Sequence, residues 1–374
     1  MSQTKTRGNL RDPTPEYLAG QRDGYALGWE HGYWIGCCEA AVQRAYAQPP
    51  RRPLKVMYIT SGKGFPYSPL DEGIAATLKM LVNHVIVVAP NQNTVAVAAR
   101  ERPDLALVLD GMDYPPEQAD RLRAMGIATA IWFTDDPYYT DVTAELASHY
   151  SHVFTLERSC VPFYERRGCR NVHHLPLGVF HEAFRPRNPR LHLRSDVCFI
   201  GTAFWNRAEF FQNLLPLIDH RNFRLSGLWW ERMANFETYR DRIDLGKWMG
   251  SVETAEHYSA CKLVINIHRA SNDDTFNRNT AGIQAVSPNP RTFEISACGT
   301  LQLTDFREDL PQFYVPGEEV VVYDSPEDLA AKVEYYLEHE EERRRIALKG
   351  LYRTMRDHTY TSRLSRLLSL ALPR

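Results

Sequence analysis

From Leu54 onward, short apolar runs alternate with stretches whose apolar residues recur every three or four positions. The runs at 54–60, 84–89, 105–109, 128–133, 151–155 and 172–175 predict strands, and helical spacing lies between them near 70–82, 91–101, 116–125, 140–148 and 158–167. Continuous apolar strands separated by amphipathic helices imply right-handed βαβ units and a parallel sheet covered on both faces. Pro186 to Pro189 interrupts the pattern, which restarts at 196–201, 222–227, 263–267, 300–304 and 319–323. Three closing helices follow near 326–338, 340–356 and 361–371. The expected fold is therefore α/β: two Rossmann-like parallel-sheet domains, over 54–183 and 190–350, facing a cleft at the carboxyl ends of their strands.

Ahead of these domains, residues 1 to about 15 are polar and expected to be disordered. Gly20, Gly24, Gly28, Gly32 and Gly36 then recur every fourth residue, interleaved with Tyr25, Trp29, Tyr33 and Trp34. Such spacing lines one side of a helix, yet each helical glycine costs about 1 kcal/mol relative to alanine. Close backbone approach to another helix would offset that, on the chain's own body or on a second subunit. The expectation is a glycine-rich helical arm within residues 1–50, with a homodimer as one outcome; the alternative is an irregular leader. Arg22, Asp23, Glu30 and His31 argue against burial in lipid. Gln48 to Pro53 reads as a stiff linker ending the arm.

Composition narrows the classes of function. The 374 residues are 44% hydrophobic and 24% charged, with a net charge of −2. That balance gives no pull toward nucleic acid or an anionic membrane. Arg343 to Arg345 follow Glu340 to Glu342 and read as a solvated helix face. No apolar stretch approaches the ~20 residues of a membrane span, and the first residues lack the apolar core of a secretion signal. The seven cysteines show no C-x-x-C spacing, which suits a reducing cytoplasm.

The segment Ser287 to Asp305 carries the most chemistry. Asn289 suits a helix N-cap, Pro290 the first turn, and Gly299 the stop, after which Thr300 to Leu303 reads as a buried strand. The start of such a helix favours a phosphate through bare N–H groups and its dipole. Arg291 adds a cation, and Glu294 is placed to accept hydrogen bonds from a diol such as a ribose. The competing reading is a capped helix in which Glu294 pairs with Arg291 at i, i+3. Ser61-Gly-Lys-Gly-Phe65 matches neither the phosphate-loop nor the dinucleotide-binding glycine pattern.

Arg291-Thr-Phe-Glu-Ile-Ser-Ala-Cys-Gly299, Leu301 to Leu310 and Glu318 to Tyr323 together resemble the C-terminal half of CgeB-type spore-maturation proteins, a branch of the GT-B glycosyltransferases. The likeness continues through Ser325 to Leu329 and Tyr335 to Leu337, and Trp132 to Tyr138 is similar as well. It implies a GT-B fold whose last helices, within 351–374, cross back to the first domain. It also implies transfer of a sugar from a nucleotide-diphosphate donor to a glycan, protein or small-molecule hydroxyl, in the cytoplasm or at the spore surface. Glu294 matches the glutamate that binds the nucleotide ribose in that fold. Many retaining members carry a second glutamate eight residues earlier, where this chain has Val286, so the stereochemical course stays open.

Under this resemblance the donor side is expected to use Gly201, Thr202, Arg207, Gly227, His268, Arg269, Asn289, Arg291 and Glu294, with Gly62 facing it across the cleft. Trp229 and Trp230 are open to stacking on a base or to core filling. The polar segment from His268 to Asn289 is long for a connector and is expected to order when donor binds. Asp135 and Asp136, after the fourth strand, are the candidate bases; alternatively Asp136 caps a turn and Asp135 pairs with a cation. These adjacent aspartates, like Asp273 and Asp274, lack D-x-D spacing. Members of this fold neutralise the leaving diphosphate with helix dipoles and cations, so neither a metal nor another cofactor is expected. His173, His174 and His181 read as structural. Two further readings remain: a sugar-nucleotide epimerase of the same fold, and a non-catalytic module binding glycans or coat proteins.

Overall fold

A computed structural model describes residues 14–273 and 275–373, without the side chain of Glu16. The polar leader over 1–13 and Asp274 lie outside the described residues. Helix α1 (Pro15–Ala45) begins within the stretch expected to be disordered, capped by Thr14, whose side chain accepts from the Tyr17 N–H.

The first sheet takes β1 (Arg52–Ile59), α2 (Ser68–Leu81), β2 (Val82–Val88), α3 (Thr94–Glu101), β3 (Leu105–Leu109), α4 (Pro116–Ala124), β4 (Ala128–Phe133), α5 (Thr140–Ala147), β5 (His152–Thr155), α6 (Cys160–Glu165) and β6 (Val172–His174). The second takes β7 (Ser195–Ile200), α7 (Trp205–Leu214), β8 (Phe223–Gly227), α8 (Phe236–Tyr239), β9 (Ile243–Leu245), α9 (Ser251–Ala260), β10 (Cys261–Asn266), α10 (Pro290–Ala297), β11 (Leu301–Asp305) and β12 (Val321–Tyr323). Helices α11 (Pro326–Glu338), α12 (Glu340–Asp357) and α13 (Tyr360–Ala371) close the chain. Neither β9 nor α9 was expected. Both are mixed in polarity, and β9 is an edge strand with only Ile243 buried, so no apolar run marks them.

Both sheets have six strands, all paired in parallel, in the orders β2-β1-β3-β4-β5-β6 and β12-β11-β10-β7-β8-β9. Strand order reverses between β1 and β3 in one and between β7 and β10 in the other. Ligands of such sheets bind at the carboxyl ends beside that reversal. The carboxyl end of β1 leads into Ser61 to Lys63 and that of β3 into Asp110. Those of β7 and β10 lead into Gly201 and His268. Helix α13 leaves the second sheet, and its Tyr360, Leu364, Leu367 and Leu368 share a core with Val56, Tyr58 and Trp132 of the first. The crossing is pinned where Val179 N–H donates to His358 O at 2.9 Å and Tyr360 N–H to Val179 O at 2.9 Å.

The arm is helical, but its glycines do not do what was expected of them. A Cβ added at any of Gly20, Gly24, Gly28, Gly32 or Gly36 would meet nothing within 4 Å. The arm grips its own body through a different face near its end. Cys38, Ala41 and Ala45 are buried in a core with Leu351 and Met355 of α12, Trp34 packs against it, and Arg344 pairs with Glu30 at 2.5 Å.

Candidate functional site

A cleft of about 530 Å³ opens between the two sheets. From the first come Tyr67, Thr134, Asp135, Tyr138, Tyr139 and Glu157; from the second Gly201, Thr202, Arg207, Trp229, His268, Arg269, Asn289, Arg291 and Glu294. Most of the donor-side residues expected from the sequence thus converge on one wall.

Helix α10 starts as its sequence requires. Asn289 accepts from the Thr292 N–H at 3.0 Å, and its own amide donates to Asn266 Oδ1 at 3.0 Å. Arg291 donates to the same Asn266 oxygen at 3.4 Å and lies over the Phe199 ring at 5.1 Å. It makes no ion pair with Glu294, so the capped-helix reading fails for that pair. Among the described residues Glu294 has no hydrogen-bond partner, and burial raises its pKa from 4.5 to about 7, with the charge of Arg291 opposing. Arg207 is buried and donates to Ile267 O at 3.0 Å and Thr202 O at 2.9 Å, tying together the two strand ends of the reversal. Burial, reinforced by the Arg291 charge, lowers its pKa to about 9.

The two glycines of this wall sit against protein neighbours. A Cβ at Gly201 would sit 2.5 Å from Nη2 of Arg291, and one at Gly227, where φ is +136, would collide with the Gly201 carbonyl oxygen. Gly227 therefore holds the β7 and β8 ends together and borders the neighbouring hollow with Trp248 and Tyr258. Gly62 is a correction: it turns at φ +76 against Pro90 and is not among the residues lining the cleft. Trp230 is core, whereas Trp229 stacks on Phe276 with centroids 4.8 Å apart.

On the opposite wall the adjacent aspartates part company. Asp136 is fully buried and accepts from Thr155 at 2.6 Å, Thr143 at 3.1 Å and Tyr164 at 2.8 Å. That satisfied carboxyl is a structural group, which corrects its expected role as a base; burial lifts its pKa to about 6 against those hydrogen bonds. Asp135 is half-buried, and among the described residues its side chain takes only the Tyr67 hydroxyl, at 2.5 Å. No cation among the described residues pairs with it.

The segment from Arg269 to Asn289 is already tied down. Asp141 accepts from the Thr280 N–H at 3.0 Å and hydroxyl at 2.7 Å, Thr140 donates to Asn279 at 2.8 Å, and Arg278 N–H donates to Tyr138 O at 2.7 Å. These contacts join the segment to the first domain around Tyr138 to Asp141. Sequence reasoning missed the centre of this junction. Buried Glu157 accepts from the Val286 N–H at 3.1 Å and the Ser287 N–H at 3.0 Å, just ahead of α10. The signal was there, because Glu157 follows an apolar strand just as Asp135 does. His174 and Asp309 belong to the same junction through Ser287, at 3.2 and 3.0 Å. His181 stacks on Tyr46 with centroids 4.1 Å apart.

Comparison with known proteins follows this geometry. The sequence profile of a family described as Glycosyl transferase-like matches residues 207–369. Spore protein CgeB of Bacillus subtilis (strain 168) is 27% identical over 322 residues, covering 85% of this chain and 99% of that protein. Among solved structures, sucrose-phosphate synthase from Thermosynechococcus elongatus superposes with a TM-score of 0.58 at 12% identity, over 84% of this chain and 98% of that one. HepE from Anabaena, solved in complex with UDP-glucose, gives 0.58 at 11% identity, over 84% and 99%. The chain thus has the two-sheet GT-B glycosyltransferase fold, its residues 207–369 match the Glycosyl transferase-like family, and it is similar to spore protein CgeB along most of its length.

Proposed function

We propose that the cleft moves a sugar from a nucleotide-diphosphate donor to an acceptor hydroxyl. The observation that carries this reading is the opposition of two walls. One offers a capped helix start with Arg207, Arg291 and an unpartnered Glu294; the other offers Asp135, free apart from Tyr67. The diphosphate would lie at the start of α10, with its charge met by the arginines and the helix dipole and no metal required. Glu294 would accept both ribose hydroxyls. Asp135 would take the acceptor proton as that oxygen bonds to the anomeric carbon, while the carbon–oxygen bond to the diphosphate breaks and the nucleoside diphosphate leaves. Tyr67 holds Asp135 in orientation, and burial followed by the charge of Asp135 keeps that phenol protonated. HepE and its bound UDP-glucose support this donor class.

The acceptor would be a glycan, protein or small molecule, and the likeness to a spore protein supports a cytoplasmic enzyme with a place in spore-surface glycosylation. The aromatic residues Tyr25, Trp29 and Tyr33, exposed on the arm, support pairing of two chains. Sedimentation of the full chain and of a chain lacking residues 1–33 tests that pairing. The reaction itself is tested by thermal-shift screening with UDP, GDP, dTDP and CMP and their sugars, then by turnover with and without EDTA. Stabilisation by none of them would sink the donor assignment and favour the binding-module reading. Release of an epimer in place of free nucleotide would favour the epimerase.

A further inference from the structure

His268 sits at the end of β10, beside the strand-order reversal, and is 2% exposed on the cleft wall. Its Nδ1 lies 2.6 Å from Asp305 Oδ1, and the same oxygen accepts the His268 backbone N–H at 3.0 Å. A carboxylate partner fixes the tautomer: the proton stays on Nδ1 and Nε2 presents a bare lone pair. Among the described residues that Nε2 has no partner, and neither does Nε of the next residue, Arg269, whose Nη2 is spent on Phe276 O at 3.0 Å. Both residues line the cleft, and a buried acceptor left open at Nε2 calls for a group with a proton to donate. A phosphate has no proton to give and would be repelled by the lone pair; an alcohol fits.

We propose that His268 recognises a hydroxyl of the transferred sugar, accepting its O–H at Nε2, and so selects donors that carry a hydroxyl at that ring position. The inference rests on the function proposed above and extends it from the nucleotide to the sugar. The surrounding charges keep the ring neutral for this role. Burial lowers its pKa; Asp305 opposes, while Arg307 beyond β11 and Arg207 on α7 add to the lowering. Arg269 follows it in the chain, and the Tyr323 hydroxyl of β12 donates to Asn266 O, two residues before it, at 2.8 Å. Hydroxyl recognition should therefore persist down to pH 6.5 and fail only below it.

The test compares UDP with UDP-glucose, by calorimetry, on the full chain and on His268→Ala and His268→Gln. Loss of one buried hydrogen bond should weaken UDP-glucose about tenfold in His268→Ala. Affinity for UDP should stay within about twofold, and His268→Gln should recover part of the loss because its amide oxygen can accept. The native chain should also discriminate against one monodeoxy analogue of UDP-glucose, and His268→Ala should lose that discrimination. The analogue series on the native chain stands even where the alanine variant fails to fold. Equal weakening of UDP and UDP-glucose, or indifference of the native chain to every deoxy analogue, would overturn the role of His268 and leave the donor assignment standing. A native chain that binds none of UDP, GDP and dTDP, alone or with their sugars attached, would overturn both.

Discussion

Glu294→Gln keeps the shape of the side chain and removes its charge, and its effect depends on pH in a way the site dictates. In the unfolded chain the carboxyl ionises near 4.5; in the fold burial delays this to about 7 despite Arg291. The folded state therefore holds an extra proton between those values, and stability falls as pH rises through that window before levelling off. The whole gap corresponds to about 3 kcal/mol, and the opening of the cleft to solvent reduces this to roughly 1–3 kcal/mol. Urea unfolding at a series of pH values should find Glu294→Gln about as stable as the native chain at pH 4.5 and about 1–3 kcal/mol more stable at pH 8. The same substitution should weaken nucleoside diphosphate binding about tenfold or more, since hydrogen bonds to a charged group contribute about 1.5–3 kcal/mol. Stability and binding then move in opposite directions. A stability difference that stays constant from pH 4.5 to 8 would show that Glu294 is not the ionising group, and unchanged nucleotide affinity would remove its contact with the ribose.

Three further outcomes separate chemistry from architecture. Asp135→Asn should leave the urea midpoint nearly unchanged while turnover falls about 100-fold or more, whereas Asp136→Asn should cost about 1–3 kcal/mol by disrupting a buried group with three hydroxyl donors. Equal effects of the two on stability would erase that distinction. Gly227→Ala should lower the melting point by several degrees, because its Cβ meets the Gly201 carbonyl at a backbone angle that alanine resists. Glu157→Gln should speed hydrogen exchange at the Val286 and Ser287 amides about tenfold or more, which native-state exchange would read directly.

How much was legible beforehand follows from what each signal encodes. Buried parallel strands announce themselves as apolar runs, so eleven of the twelve appear where Val, Ile and Leu cluster, and the exception is the half-polar edge strand Ile243–Leu245. The Asn289 cap and the Pro290 first turn are local chemistry and could be read residue by residue. The fate of Asp135 and Asp136 could not be. They share a loop, and their difference is made by Tyr67, Thr155 and Tyr164, which tertiary structure brings in from far along the chain. The same holds for Glu157, whose partners lie about 130 residues away. The glycines of the arm show the opposite failure. Their spacing was plain, but the steric reason inferred from it is not met within one chain.

The donor wall also stores a repulsion that a ligand would relieve. Arg207 is nearly sealed from water, spends its Nε and Nη1 on the carbonyls of Ile267 and Thr202, and has the positive Arg291 as its neighbour. Among the described residues neither arginine has a carboxylate in ion-pair contact; Arg207 is held by backbone carbonyls, and Arg291 by the Asn266 amide oxygen and the Phe199 ring. A group of this kind gains most from a multivalent anion that bridges both guanidinium ions, since hydrogen bonds between ionised partners are about twice as strong as neutral ones. Inorganic pyrophosphate, with no base or sugar, should therefore raise the melting point. At a concentration 100 times its dissociation constant it would add about 2.7 kcal/mol to stability, and the gain should shrink as salt rises. Arg291→Ala should lose most of that gain while keeping its fold, because Arg291 is half-exposed and Arg207 alone still ties the two strand ends. Stabilisation by pyrophosphate that survives this substitution unchanged would place the anion elsewhere on the protein and separate the diphosphate from the start of α10.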